Sequence, residues 1–387
     1  MSFPLRITDA LRRAVEPGAS VLLGISGGVD SAVSLAVLQE LGCEVHTVTF
    51  KNFCYAEQEA SEKACCSVEA IQDARALAVD RGASHAVRDV APAFAAQVIQ
   101  PFVDDYAAAR TPNPCLGCNS LVRFPELVRL ADQLGCDLVA TGHYARTIAA
   151  ADGSVWLHRG VDPDKDQSYF LSHVEPEVWS RVVFPLGWSR KPEVREAARQ
   201  LGFTVADRPE SQEICFVPDG DRSFLFPNGS MGAPGPIVDT AGRHLGEHRG
   251  LGHYTVGQRR GLGIAHTEPL YVVALVPAHN RLVVGTREET AVRRLACDGY
   301  RPHDPRYADG GEPAGGAVVA AQVRHRHRGA RVAAWRRLGD RLHVDLVEPV
   351  HGVAPGQGLT LYEDDRVVAC GRLVASSAVG DTERGEA

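Results

Sequence analysis

Between residue 21 and about residue 225, short β-branched or apolar runs alternate with longer stretches in which apolar residues recur every three or four positions. Strands and crossover helices of a parallel sheet produce this alternation. Runs 21–25, 45–50, 85–90 and 137–141 predict strands, and 31–41, 67–81, 92–106 and 124–134 predict helices. At 226–236 the pattern breaks, because Pro227, Gly229, Gly232, Pro234, Gly235 and Pro236 are too dense for a helix or a central strand. A domain boundary is expected there. Beyond it the helical period nearly vanishes, and runs 271–275, 281–285, 318–323, 342–347, 359–362 and 367–373 predict small β domains, with 301–316 as a long loop.

A length of 387 residues accommodates two or three domains, and 44% hydrophobic with 23% charged residues excludes disordered, collagen-like and coiled-coil chains. No apolar run approaches the ~18 to 20 residues of a membrane span. The first ten residues lack a basic segment followed by an apolar one, so no secretory signal is expected. These features predict a cytoplasmic chain without a membrane partner. Ten cysteines are then expected to be reduced, which gives clustered ones catalytic, redox or metal roles. The net charge of -7 leaves room for a local basic face, since residues 324–341 carry seven arginines against one acid, Asp340.

The segment Val21-Leu22-Leu23-Gly24-Ile25 leads through Ser26-Gly27-Gly28-Val29-Asp30-Ser31 into a helical run. Two glycines permit a tight turn near an anion, two serines offer hydroxyls, and the helix start presents unpaired amides. The loop has neither the lysine of a Walker A motif nor the Gly-x-Gly-x-x-Gly spacing of dinucleotide sites. It resembles the Ser-Gly-Gly-x-Asp-Ser signature of PP-loop ATP pyrophosphatases, which cleave ATP between the α and β phosphates. A plain strand-to-helix turn with Asp30 as a cap is the structural alternative.

Other strings extend the likeness. Arg110 to Asn119 carries Cys115 and Cys118 as a Cys-x-x-Cys pair, in what its two prolines predict to be an extended loop. Thr141-Gly142-His143-Tyr144 closes a strand, Lys165-Asp166-Gln167-Ser168 adds a polar strip, and Glu213-Ile214-Cys215-Phe216 brings a third cysteine. With Tyr254 to Gly263, these strings resemble the tRNA-specific 2-thiouridylases over nearly the whole chain.

That resemblance implies an α/β fold. An N-terminal parallel-sheet PP-loop domain of the adenine nucleotide alpha-hydrolase type (1–225) would precede a small central β-rich domain (226–295) and a C-terminal β-barrel (296–387). It implies ATP with Mg2+ as cofactor, tRNA as substrate, and a persulfide donor, either a cysteine desulfurase or a sulfur-relay protein. Gly24, Ile25, Ser26, Gly27, Gly28, Val29, Asp30, Ser31, Phe50 and Gly142 would meet ATP. Asn113, Pro114 and Cys115 would meet the target base, while Lys165, Asp166, Gln167, Arg324 and His325 would contact the tRNA. Cys215 would carry the persulfide and Cys118 would release its sulfur to the adenylated C2 of wobble uridine.

At Cys115 the family pattern commonly has aspartate, so an acid-base role does not carry over to this position. An alternative is that Cys115, Cys118 and Cys215 ligate a 4Fe-4S cluster. Two further alternatives are a PP-loop synthetase acting on a small molecule and a non-catalytic RNA-binding protein. Cys54, Cys65 and Cys66 match no zinc spacing and read as ordinary thiols. Cys43, Cys136, Cys297 and Cys370 read as small hydrophobes. His143 reads as structural, and Arg259 with Arg260 as a phosphate contact.

Overall fold

The computed structural model describes residues 3–53, 68–208, 214–217, 221–226, 229–313 and 316–374. Cys54, Cys65, Cys66 and residues 211–213 lie outside the described residues. The chain divides into two compact units, the first comprising Met1–Ile99, Cys115–Asp221 and Asp365–Val367.

The first unit begins with α1 (Asp9–Ala14), β1 (Ser20–Gly24), α2 (Val29–Glu40), β2 (Glu44–Lys51), α3 (Val68–Asp80) and β3 (Ser84–Asp89). Where the sequence predicts one uninterrupted helix, the helical segment α4 (Ala91–Phe94) continues as a π-helical turn at Ala95–Ile99, and α5 (Gln100–Ala107), which follows it in the chain, belongs to the second unit. Next come α6 (Pro114–Gly117), a π-helical turn at Cys118–Arg123, α7 (Phe124–Leu134) and β4 (Leu138–Thr141). The hairpin β5 (Ala145–Ala149) and β6 (Val155–Arg159), α8 (Ser168–Leu171), β7 (Val182–Val183) and α9 (Lys191–Gln200) complete the unit.

Strands β3-β2-β1-β4-β7 form an all-parallel sheet in that order. Central strand β1 is wholly buried at Val21, Leu22 and Leu23, which explains its unbroken apolar run. Helix α2 is buried from Ser31 to Leu38, and Val33, Leu35 and Leu38 join Val21 and Leu23 in the core. The chain leaves β1 for β2 on one side, while β4 lies on the other side. The sheet therefore has its topological switch point at the carboxyl ends of β1 and β4, where open α/β sheets bind ligands.

The second unit comprises Gln100–Pro114, Arg222–Asp364 and Val368–Ala387. It contains β8 (Gly235–Asp239), β9 (His244–His248), β10 (Tyr271–Val276) and β11 (Arg281–Gly285), in the sheet order β10-β11-β8-β9. Strand β8 thus lies inside a sheet although it begins in the Pro- and Gly-rich stretch that excludes a central strand by sequence. Pro236 is its second residue, and hydrogen-bonded pairing to β11 starts only at Ile237, so the missing proline N–H costs little.

The unit continues with β12 (Ala291–Pro302), β13 (Gly310–Gly311), β14 (Val319–Gln322), β15 (Ala330–Leu338), β16 (Arg341–His351), β17 (Gly358–Glu363) and β18 (Arg366–Leu373). Six of them, β12-β16-β15-β14-β17-β18, close into a barrel through the β12–β18 pairing. Leu295, Val319, Leu342, Val344, Leu359 and Val368 fill its core. Residues 301–313 are tied down rather than forming a free loop. Asp304 caps the short turn at Pro305–Tyr307, and the Tyr307 ring stacks on Trp335 at 4.8 Å. No helix among the described residues is long and apolar enough to cross a membrane.

Candidate active site

The phosphate loop sits at the switch point. The Ile25 N–H bonds Val48 O at 2.9 Å and the Thr49 hydroxyl bonds Ile25 O at 3.0 Å, which anchors the loop to β2. Gly27 has φ +71°, and a Cβ there would lie 2.8 Å from Ala70 O, so glycine is required. The Ser31 hydroxyl donates to Gly28 O at 2.9 Å and accepts from the Ser26 N–H at 3.3 Å, closing the turn. Gly28 is the N-cap of α2 and supplies no side-chain cap, so the first-turn amides at Val29, Asp30 and Ser31 are left to meet an anion.

Gly142 follows β4 and approaches the same turn closely. A Cβ there would lie 3.1 Å from Asp30 C and 3.2 Å from Ser31 N. Phe50, next to last in β2, is half-buried, and Gly24 is paired in register between Val48 and Thr141. The ten nucleotide positions read from sequence therefore gather around the carboxyl ends of β1, β2 and β4.

Asp30 is held by Lys191, absent from the sequence reading of the site, and by Tyr144 of the string that follows β4. Lys191 Nζ lies 2.7 and 2.8 Å from its two carboxylate oxygens, and the Tyr144 hydroxyl donates to Oδ1 at 2.8 Å. Lys191 opens α9, and its backbone N–H donates to the buried Asp162 at 2.8 Å. The sequence signal for α9 was a helix start, with Pro192 and Glu193 in the first turn and the Arg190 N–H donating to the Glu193 carboxylate at 2.7 Å.

Cys115 and Cys118 lie on helix, not on the extended loop that the prolines predict. Pro114 opens α6, a position where its missing N–H is harmless, and Cys118 begins the π-helical turn. Burial pushes the Cys115 thiol up to about 11; the neighbouring Cys118 adds to the shift and the Arg123 guanidinium opposes it. Burial also raises Cys118, again opposed by Arg123. Arg123 closes the π-turn, and its Nη1 lies 3.4 Å from both Asn119 Oδ1 and His143 Nε2.

His143 is desolvated among Phe124 and Phe184 and faces Arg123, which together depress it to about 3, so the imidazole is neutral at working pH. Its Nδ1 pairs with Thr141 Oγ1 at 2.6 Å, which links the end of β4 to the cysteine helix. Cys215 is half-buried, and its neighbour Phe216 packs edge-on against Phe94 of α4 at 5.6 Å. Segment α4 in turn packs on the π-turn that carries Cys118. Among the described residues, no three His, Cys, Asp or Glu side chains gather in a geometry that holds a metal ion.

In the Lys165-Asp166-Gln167 strip, two side chains brace the scaffold. Asp166 accepts from Arg159, from the Gly160 N–H, and from the backbone and hydroxyl of Ser168, at 2.8 to 3.0 Å. Gln167 Oε1 accepts from the Tyr144 N–H at 3.0 Å, and its own N–H donates to Tyr144 O at 2.9 Å. This fixes Tyr144 beneath Asp30. Lys165 is half-buried.

Asn113, Pro114, Arg324 and His325 belong to the second unit. Arg324 lies in the exposed turn between β14 and β15 and donates to His351 O at 3.0 Å; Arg326 and Arg328 are exposed in the same turn. Arg341 pairs with Asp298 and Arg336 with Asp345, so part of the arginine charge is internally compensated. A cleft of about 430 Å³ in this unit is lined by Arg259, Ile264, His266 and Glu268 among others.

A parallel sheet whose first loop offers open amides to a polyphosphate defines a PP-loop enzyme, here with a Cys-x-x-Cys helix in the same unit. Family models match three stretches: the tRNA methyl transferase HUP domain at residues 19–219, the tRNA methyl transferase PRC-barrel domain at 227–286, and the aminomethyltransferase beta-barrel domain at 298–373. The chain is 42% identical to the tRNA-specific 2-thiouridylase MnmA of Geobacter metallireducens, over 93% of this chain and 98% of that protein. It is 42% identical to the MnmA of Heliobacterium modesticaldum over 92% of each chain, and 39% identical to that of Salinibacter ruber over 91% and 93%. The chain belongs to the tRNA-specific 2-thiouridylase family.

Proposed function

We propose that this chain is a tRNA-uridine 2-sulfurtransferase that uses ATP to replace the C2 oxygen of wobble uridine with sulfur, releasing AMP and pyrophosphate. The observation that carries the reading is the joint presence, in one unit of a family member, of an amide-lined phosphate loop and the Cys118 helix. The first-turn amides of α2 and the Ser26 and Ser31 hydroxyls orient the polyphosphate of ATP. Mg2+ on the phosphate oxygens would supply charge neutralisation when bound, while both Asp30 oxygens are engaged by Lys191. Uridine O2 attacks the α-phosphorus, pyrophosphate leaves, and C2 becomes bonded to a good leaving group.

Cys215 takes the terminal sulfur from a donor persulfide, from a cysteine desulfurase or a sulfur-relay protein. That sulfur forms the bond to C2 as AMP departs with the former O2. Cys118 attacks the inner sulfur, leaving a Cys118–Cys215 disulfide that an external dithiol reduces. Arg123 is the cation that favours the Cys118 thiolate against its burial. Asn113 and Pro114 would approach the base, and Lys165, Arg324 and His325 the RNA backbone, while Asp166 and Gln167 act through the scaffold.

Incubation with ATP, Mg2+, a persulfide donor, a dithiol and unmodified tRNA, followed by nucleoside analysis, tests the proposal. The expected product is 2-thiouridine with AMP. AMP formation with a small-molecule acceptor but no thiolated nucleoside would favour a synthetase, and RNA binding without ATP turnover would favour a binding protein.

A further inference from the structure

The phosphate loop contains an electrostatic conflict that its sequence motif does not reveal. Open amides and the positive end of α2 attract a polyphosphate, yet the second residue of that helix is Asp30, whose carboxylate repels one. In many proteins an acid in the first helical turn serves as a favourable partner of the dipole. Here it occupies the place where a substrate of several negative charges must come.

Lys191 resolves the conflict. It is only 5% exposed, which is rare for a lysine, and its ammonium spans both Asp30 oxygens at 2.7 and 2.8 Å. It also sits 5.6 Å from the centroid of the Tyr144 ring, whose hydroxyl bonds Asp30 at 2.8 Å. Each partner is braced in turn, since the Lys191 N–H is bound by buried Asp162 and both backbone groups of Tyr144 are bound by Gln167. Four segments distant in sequence thus converge to keep one ammonium on one carboxylate.

Resting on the functional reading above, we propose that Lys191 is a positioning residue for the nucleotide. It fixes Asp30 in the first turn of α2 and cancels its charge, so that the loop amides accept a polyphosphate. An unpaired charge ~6 Å from an anion, at an effective dielectric of ~20, changes affinity on the order of 100-fold per unit of anionic charge before screening. The effect therefore grows with the charge of the ligand and vanishes for adenosine. A lysine that served only to stabilise the fold would weaken all ligands alike.

The test is calorimetric binding of ATP and of adenosine to the full-length chain in EDTA, with thermal melts as a control for folding. Lys191→Met is expected to weaken ATP roughly 10- to 100-fold while adenosine changes by less than about threefold. The double variant Lys191→Met with Asp30→Asn, which removes both charges, is expected to recover most of the ATP affinity. Tyr144→Phe, which deletes one hydroxyl, guards against misfolding of the lysine variant and is expected to weaken ATP about two- to fivefold and adenosine not at all. Equal losses for ATP and adenosine, or no recovery in the double variant, would overturn the inference. If the wild-type chain binds ATP and Lys191→Met binds it equally, the inference alone falls. If the wild-type chain does not bind ATP, the functional reading falls first and takes the inference with it.

Discussion

Replacing Gly27 with alanine tests the phosphate loop by geometry alone. The residue sits at φ +71°, where an L side chain costs ~1 to 2 kcal/mol relative to glycine. The added Cβ would lie 2.8 Å from the carbonyl oxygen of Ala70 in α3, against an ordinary carbon-to-oxygen contact of ~3.3 Å. The obstacle is backbone, so the loop must retreat by about 0.5 Å, which adds ~1 to 3 kcal/mol of the kind seen on overpacking. The combined destabilisation is ~2 to 5 kcal/mol. Gly28 is the control, because its φ is -94° and its nearest Cβ contact is Ser26 Oγ at 3.5 Å. Urea denaturation should show Gly27→Ala destabilised by that amount and Gly28→Ala by less than about 1 kcal/mol. Calorimetry should show ATP affinity reduced about tenfold or more only in the former. Equal stability and equal ATP affinity in the two variants would refute the reasoning.

Three further outcomes are expected. Asp365 is held at about 2, chiefly by the hydrogen bond from His158 at 2.8 Å and further by Arg146, so its stabilising contribution is complete above pH ~4 and disappears as pH falls through about 2. Asp365→Asn should lower the urea midpoint at pH 7 and progressively less toward pH 3; a deficit that does not shrink with pH would contradict this. Because desolvation holds the half-buried Cys115 thiol up at about 11, Cys115→Ser should keep most of the thiolation activity in nucleoside analysis, whereas Cys118→Ser should lose it; equal loss in both would favour a metal-ligand role for Cys115. Changing Arg324 and Arg326 together to alanine should weaken tRNA binding and reduce its salt slope by about 1 to 2, measured by fluorescence anisotropy between ~50 and ~200 mM salt, and an unchanged slope would remove this turn from the RNA-contacting surface.

The parallel sheet was legible in the sequence because central β1 is buried on both faces and appears as an unbroken apolar run, while β2 carries β-branched residues, each followed by a helical period. The hairpin β5–β6 was missed because its exposed positions interrupt the apolar pattern, and α9 because only Val194, Ala197 and Ala198 carry its apolar face. The phosphate loop was legible because its chemistry is local. The Asp30 clamp was not, since Lys191 lies 161 residues away and a lysine carries no sequence mark of its burial. The same reason hid Arg123, whose relation to His143 depends on a π-helical turn that places residues five apart on one face. The prolines at 112 and 114 were misread because Pro114 starts a helix as readily as it extends a loop.

The central claim is that ATP activates the C2 oxygen of uridine so that this oxygen leaves on AMP. A single-turnover reaction with tRNA carrying oxygen-18 at uridine O2, together with ATP, Mg2+ and a persulfide donor, tests it in one mass spectrum. The account predicts one labelled oxygen in each AMP and one 2-thiouridine for each AMP formed. Unlabelled AMP accompanying 2-thiouridine, or ADP as the main nucleotide product, would contradict it.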